Sequence, residues 1–151
     1  MTITVNGLDE LKKLAGSDLG TSEWTEVTQL AIDTFADATG DHQWIHVDAE
    51  RAKAGPFGAP IAHGYLTLSL FIPLFSGMLE AEGVTSKINY GLNKVRFPSP
   101  VRVGSRIRLA ARLAEVTDVA GGVQITVDGT IEIEGETKPA VVLQGVLRWY
   151  A

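Results

Sequence analysis

From Lys87 onward apolar residues recur at every second position. Arg106-Ile107-Arg108-Leu109 alternates, and so do Val123-Gln124-Ile125-Thr126-Val127-Asp128 and Ile131-Glu132-Ile133-Glu134. Val141, Leu143, Leu147 and Trp149 extend the pattern, with Gln144 and Arg148 between them. A period of two describes strands with one buried and one solvated face. Gly121-Gly122 and Glu134-Gly135 stand between these runs, where hairpin turns are wanted. The second half of the chain is therefore predicted to be an antiparallel sheet with one polar face.

The first half follows a different rhythm. Residues 23–27 read as a short strand. Thr28 is placed to cap a helix that runs to about Thr39, with Ala31, Phe35 and Ala38 on one face and Gly40 as its stop. Asp48 can cap a short helix over 49–54 that ends at Gly55. Residues 55–60 form a loop held by Pro56, Pro60, Gly55 and Gly58. A helix then starts near His63-Gly64 and is apolar nearly all round from Tyr65 to Ile72, so it belongs in the middle of the molecule. Pro73 lacks an N–H and should kink or end it. The economical arrangement is an α+β fold whose antiparallel sheet wraps around this long central apolar helix. Neither a repeat nor a linker interrupts residues 1–151, and they are read as a single domain.

Composition narrows the function. A chain of 151 residues buries roughly 70% of the surface its unfolded form exposes, so its core needs no staples. With no cysteine there are no disulfides, thiolate metal sites or cysteine nucleophiles. A formal charge of −5 argues against a nucleic-acid partner, while leaving room for a few arginines to meet phosphates. The amino terminus lacks the apolar core and cleavage site of a secretory signal. The apolar stretch 61–79 contains His63, Ser69, Pro73 and Ser76 and reads as a buried helix, not a membrane span. A cytoplasmic protein with no membrane partner is expected. The three histidines lack ligand-type spacing, so no metal is expected.

Two segments carry candidate chemistry. In Gly40-Asp41-His42-Gln43-Trp44-Ile45-His46 a glycine stops a helix, and an acid and an imidazole follow five residues apart in an irregular stretch. Five residues do not align two side chains on a helix, but a loop can turn both toward one pocket. A carboxylate and a histidine around one water can take a proton from it and return one to carbon, as hydration requires. The competing reading is a solvated loop. In Pro60-Ile61-Ala62-His63-Gly64-Tyr65 a buried helix start offers unpaired N–H groups, and glycine permits close approach. Such groups can polarise a thioester carbonyl. A tight packing turn would look the same.

Taken together, Gly40-Asp41, Ile45-His46-Val47-Asp48, Ala62-His63-Gly64 and the run from Asn89 to Phe97 resemble the MaoC-like family of (R)-specific enoyl-CoA hydratases. The resemblance covers the chain from about Trp24. It implies a hot-dog fold and a homodimer, with Asp41 and His46 as the catalytic pair and the Gly64 N–H on the thioester oxygen. The implied reaction is reversible hydration of a trans-2-enoyl-CoA to an (R)-3-hydroxyacyl-CoA. CoA is then part of the substrate, and no separate cofactor is needed. His63, Tyr65 and Arg96 are the expected substrate-binding residues, with His63 also organising its turn. The chain departs from the family pattern at Gln43-Trp44, where Asn-Pro is common, which bears on acyl-chain preference.

Among the remaining polar residues, His42 points away from Asp41 if the segment is extended. Asn89 and Asn93 read as structural amides in a bent strand. Lys94, Arg96, Arg102, Arg106 and Arg108 form the densest basic run, which is either a solvated strand face or a phosphate contact. Three rivals remain: a hot-dog acyl-CoA thioesterase, a fatty-acid or polyketide dehydratase served by a carrier protein, and a non-catalytic acyl-CoA-binding subunit.

Overall fold

The computed structural model describes residues 1–151. The chain opens with β1 (Ile3–Val5), α1 (Gly7–Lys13), β2 (Asp18–Thr21) and β3 (Thr25–Glu26). Four helices follow: α2 (Gln29–Thr39), α3 (Trp44–Val47), α4 (Ala49–Lys53) and α5 (Gly64–Ser69). After α6 (Phe71–Ser76) come β4 (Leu79–Ala81), β5 (Ser86–Arg96), β6 (Arg106–Val119), β7 (Gly122–Ile133) and β8 (Val141–Tyr150).

The alternating runs become β6, β7 and β8, and the sheet order is β2-β6-β7-β8-β5 with β3 also on β6. All pairings in this sheet are antiparallel. The inward positions Ile107, Leu109, Leu113, Ile125, Val127, Ile131, Val141 and Trp149 are buried within one core of 28 residues. The outward positions carry charge. Arg108 meets Glu132 at 2.7 Å and Arg106 meets Glu134 at 3.1 Å across β6 and β7. These pairs are partly exposed, so each contributes at most about 1 kcal/mol.

Helices α5 and α6 lie against the inner face of the sheet. A side chain at Gly145 would meet the Phe71 ring at 3.2 Å, so glycine lets α6 settle directly on β8. The helix predicted to start near His63-Gly64, with Pro73 kinking or ending it, is two six-residue helices that break at Leu70. Pro73 explains the break, because its ring would collide with the carbonyl of residue i−4, Ser69, where α5 ends. Nor is the pair buried all round: Tyr65 is 69% exposed. No helix is long and apolar enough to cross a membrane.

Other expectations shift in detail. Thr28 caps α2 as predicted, with Oγ1 accepting from the Ala31 N–H at 3.1 Å. The buried face of α2 is Ile32 and Ala36, while Ala38 is exposed. The strand expected over 23–27 shrinks to Thr25–Glu26. Gly121, at φ +81, makes the turn between β6 and β7, whereas residues 134–140 form a longer connection than a hairpin. Strand β5 is bent by register shifts at Asn89/Gly91 and Leu92/Lys94, and Asn93 donates to Gln144 at 2.9 Å. Helix α1 and the parallel pair β1–β4 have no counterpart in the sequence reading.

Candidate active site

Helix α2 ends where Gly40 adopts φ +83, and its N–H returns to the Ala36 carbonyl at 2.8 Å. That left-handed residue turns the chain sharply, so Asp41 projects from a loop and not along the helix. Asp41 Oδ1 accepts only a long 3.4 Å bond from the Gln43 N–H, and the residue is exposed. The chain then winds one turn, α3, and this turn carries His46. The expected irregular stretch is thus half helical. Gln29 of α2 holds the turn by donating to the His46 carbonyl at 2.9 Å.

Trp44 stands where the pattern this chain resembles commonly has proline. Its ring lies over Gly55, where a Cβ would come within 3.0 Å, and the Arg51 guanidinium sits 4.4 Å above it. Packing on the 55–60 loop therefore replaces the rigidity of a proline ring. The loop leads to Ile61, whose N–H donates to the Ile45 carbonyl at 3.0 Å.

His46 is 6% exposed, and its Nδ1 lies 2.7 Å from the Ile61 carbonyl oxygen. A carbonyl can only accept, so Nδ1 carries the proton and Nε2 keeps a free lone pair. Burial pushes the His46 pKa below the ordinary histidine value, opposed by the Ile61 hydrogen bond and assisted by His63. His63 is 3% exposed, and its Nε2–H donates to the Asp41 backbone carbonyl at 2.9 Å. The two imidazoles stack with centroids 3.8 Å apart. Phe35 packs against His63 at 4.8 Å.

Asp41, His46, His63, Gly64, Tyr65 and Phe97 surround a cavity of about 270 Å³. A more apolar cavity of about 410 Å³ shares His46, Gly64 and Phe97 with it and is walled by Ile45, Phe57, Ile61 and Val101. Gly64 is the first residue of α5, where helix geometry supplies no partner for its N–H. A hollow of about 550 Å³ lies elsewhere, on the outer face of the sheet. Arg112 and Asp128 there face each other at 3.8 Å, and no histidine is among its walls.

Of the residues singled out in the sequence, Asp41, His46, His63, Gly64 and Tyr65 come together. Arg96 does not line either cavity; its Nη1 donates to the neighbouring Val95 carbonyl at 2.7 Å. Arg106 and Arg108 are occupied by glutamates and by Trp24, and Arg102 donates to the Phe57 carbonyl at 2.8 Å. The basic run is therefore not one patch. His42 turns back to Asp37 at 2.9 Å, which raises its pKa. Phe97, Phe35 and the Ile61 carbonyl were missed. Only Phe97 left a signal, as the aromatic residue that ends the Asn89 to Phe97 run.

Asp41, His46 and His63 each place one potential ligand atom within 4.8 Å of the others. The rings, however, are stacked 23° from parallel, and each has one nitrogen committed to a carbonyl. Lone pairs on stacked rings run side by side and do not converge, so this trio makes a poor coordination sphere.

The MaoC-like domain family matches residues 10–135 of the chain. The 3-hydroxyacyl-thioester dehydratase Z of Mycobacterium tuberculosis (strain ATCC 25618 / H37Rv) is 52% identical over 149 residues, covering 98% of this chain and 99% of that protein. Among solved structures, a monoamine oxidase regulatory protein from Archaeoglobus is similar with a TM-score of 0.74 and 25% identity, over 100% of this chain and 99% of that one. The R-hydratase PhaJ1 from Pseudomonas aeruginosa gives a TM-score of 0.71 at 21% identity, over 90% and 81% of the two chains. Sequence and architecture agree: the chain belongs to the MaoC-like family and is a hydro-lyase with the hot-dog fold.

Proposed function

We propose that the chain interconverts a trans-2-enoyl thioester and the corresponding (R)-3-hydroxyacyl thioester, with CoA as the carrier and Asp41 and His46 as the catalytic pair. The observation that carries this reading is the tautomer of His46. Its Nδ1–H is held by Ile61, so the unprotonated Nε2 is left for substrate beside the Asp41 carboxylate. The relative named 3-hydroxyacyl-thioester dehydratase Z supports the substrate class.

In the hydration direction Asp41 holds a water, and His46 Nε2 takes one of its protons as the water oxygen bonds to C3. The C2–C3 π pair shifts toward the thioester, whose oxygen becomes enolate-like and is stabilised by the Gly64 N–H. The imidazolium then returns its proton to C2 on the same face. His46 is neutral again, and the net change is addition of one water. Tyr65 and Phe97, with centroids 6.0 Å apart, flank the acyl thioester at the mouth of the cavity. Arg96 reaches the CoA phosphates from the rim once it releases the Val95 carbonyl.

The working form is a homodimer. Every residue of β5 except Val95 is exposed, including Ile88, Tyr90 and Leu92. An edge strand this long and apolar calls for cover, and a second copy provides it. The decisive assay offers crotonyl-CoA and longer trans-2-enoyl-CoAs and follows loss of the conjugated thioester, with chiral analysis of the product. An (R)-3-hydroxyacyl product is expected. Release of free CoA without hydration would transfer the chain to the thioesterases.

A further inference from the structure

Resting on the proposed dyad, we infer that His63 is a positioning residue that ties together the three parts of the active site: the Asp41 loop, the His46 ring and the start of α5. Its side chain donates Nε2–H to the Asp41 carbonyl at 2.9 Å. Its ring face lies on the His46 ring at 3.8 Å. Its own carbonyl accepts from the N–H groups of Leu66 and Thr67, both at 3.1 Å, and so begins the helix that presents Gly64.

The surroundings of His63 suit a strut better than a proton carrier or a substrate contact. Its ring is 3% exposed and held between Phe35 and His46. Nδ1 is buried and has no hydrogen-bond partner. A bare Nδ1 is tolerated on a neutral ring, but protonation would create a second N–H with nothing to receive it. The two rings are anchored in opposite senses, His63 through Nε2 and His46 through Nδ1. Asp41 is otherwise held only by bonds of 3.4 Å, to Thr39 and Gln43, so the His63 bond is the short one that fixes its loop. The titratable groups facing His46 are Asp41 and His63 alone, and a charge at His63 would disfavour the imidazolium of His46.

Two substitutions separate the two side-chain contacts. His63→Phe keeps a flat ring for stacking and loses the bond to Asp41. His63→Gln keeps a donor at about the reach of Nε2 and loses the stack. Both are examined for hydration of an enoyl-CoA and, independently of any reaction, by NMR titration of the His46 ring. In His63→Phe, kcat should fall roughly tenfold to a hundredfold with KM within about threefold. The His46 titration should shift from the parent's, because both the ring stacked on it and the hold on the Asp41 loop change. His63→Gln should recover part of the lost kcat.

A rise in KM alone, in either variant, would make His63 a substrate contact and overturn the proposal. Unchanged kcat together with an unchanged His46 titration in His63→Phe would also overturn it. If His63→Phe does not fold, His63→Gln decides through the same two readouts: a drop in kcat and a shifted His46 titration support the strut, and parental values of both overturn it. If the unmodified chain lacks hydratase activity, the proposed reaction fails, and the NMR titration still tests the coupling between His63 and His46.

Discussion

His46 gives its Nδ1–H to the Ile61 carbonyl oxygen at 2.7 Å, while Ile61 gives its own N–H to the Ile45 carbonyl at 3.0 Å. The one-turn helix that bears the imidazole is therefore laced to the strand-like segment ahead of α5 in both directions. An acceptor that cannot donate sets the tautomer, and the short helix sets the ring position. Nε2 keeps its lone pair without any carboxylate behind the ring.

A pH dependence follows from the direction of the His46 shift. Burial lowers its pKa, so the neutral base persists below the ordinary value of about 6.5. The acid limb of kcat/KM should thus lie below pH 6.5, with full activity retained at neutrality. Stability carries the same sign. Unfolded His46 protonates more readily than folded His46, so stability is complete above the unfolded pKa and is lost as pH falls through the lower folded one. An acid limb above pH 7 would mean that another group limits the reaction.

Gly40 sits at φ +83 with open space around the position of a Cβ. Gly40→Ala should therefore act through backbone strain alone, costing about 1 kcal/mol and roughly 2–4 °C in Tm. Because the next residue is Asp41, kcat should drop by roughly tenfold as the loop is re-aimed. Thermal melts and steady-state kinetics on one preparation check both parts. A loss of stability with unchanged kcat would show that the Asp41 loop adjusts independently of the helix stop.

The helix stop and the alternating strands were legible because they depend on near neighbours. Thr28, Gly40 and the run Ile107 to Ile133 declare caps, turns and faces within a few residues. Asp41, His46 and Gly64 were legible as a motif, although their meeting in one cavity is a tertiary fact. What escaped depends on distant partners. The Ile61 carbonyl and the Phe35 face are ordinary groups until the fold brings them to His46 and His63. Helix α5 read as buried because Tyr65, Leu66, Leu68 and Leu70 are apolar, yet Tyr65 faces outward at the cavity mouth. The face of α2 was placed on Ala31, Phe35 and Ala38 because small and apolar residues abound there. Packing chose Ile32 and Ala36.

The exposed edge makes a prediction about assembly. Ile88, Tyr90 and Leu92 on β5 are 50%, 58% and 43% exposed. A homodimer formed along this strand should dissociate when glutamate replaces Leu92, since burying an unpaired charge costs several kcal/mol. Light scattering at micromolar concentration should give a dimer for the parent chain and a monomer for Leu92→Glu. A parent chain that is already monomeric would remove the dimer from the proposal.

The dyad itself predicts how activity is lost. Asp41→Asn retains the shape and hydrogen-bonding capacity of the side chain but removes its charge, and the residue is exposed enough that folding should not suffer. His46→Gln removes the base while leaving an amide able to donate to the Ile61 carbonyl. If both groups act on one water, each is needed in the transition state more than in the bound substrate. Each substitution should then lower kcat by roughly a hundredfold or more, with modest change in KM. The double variant should fall by less than the product of the two, because groups that act as a unit are not additive. Hydrolysis of a saturated acyl-CoA serves as the control and should stay near background in all four proteins. Near-parental hydration by both single variants would sink the dyad, whereas loss at His46 alone would leave histidine as the base and reduce Asp41 to holding the loop.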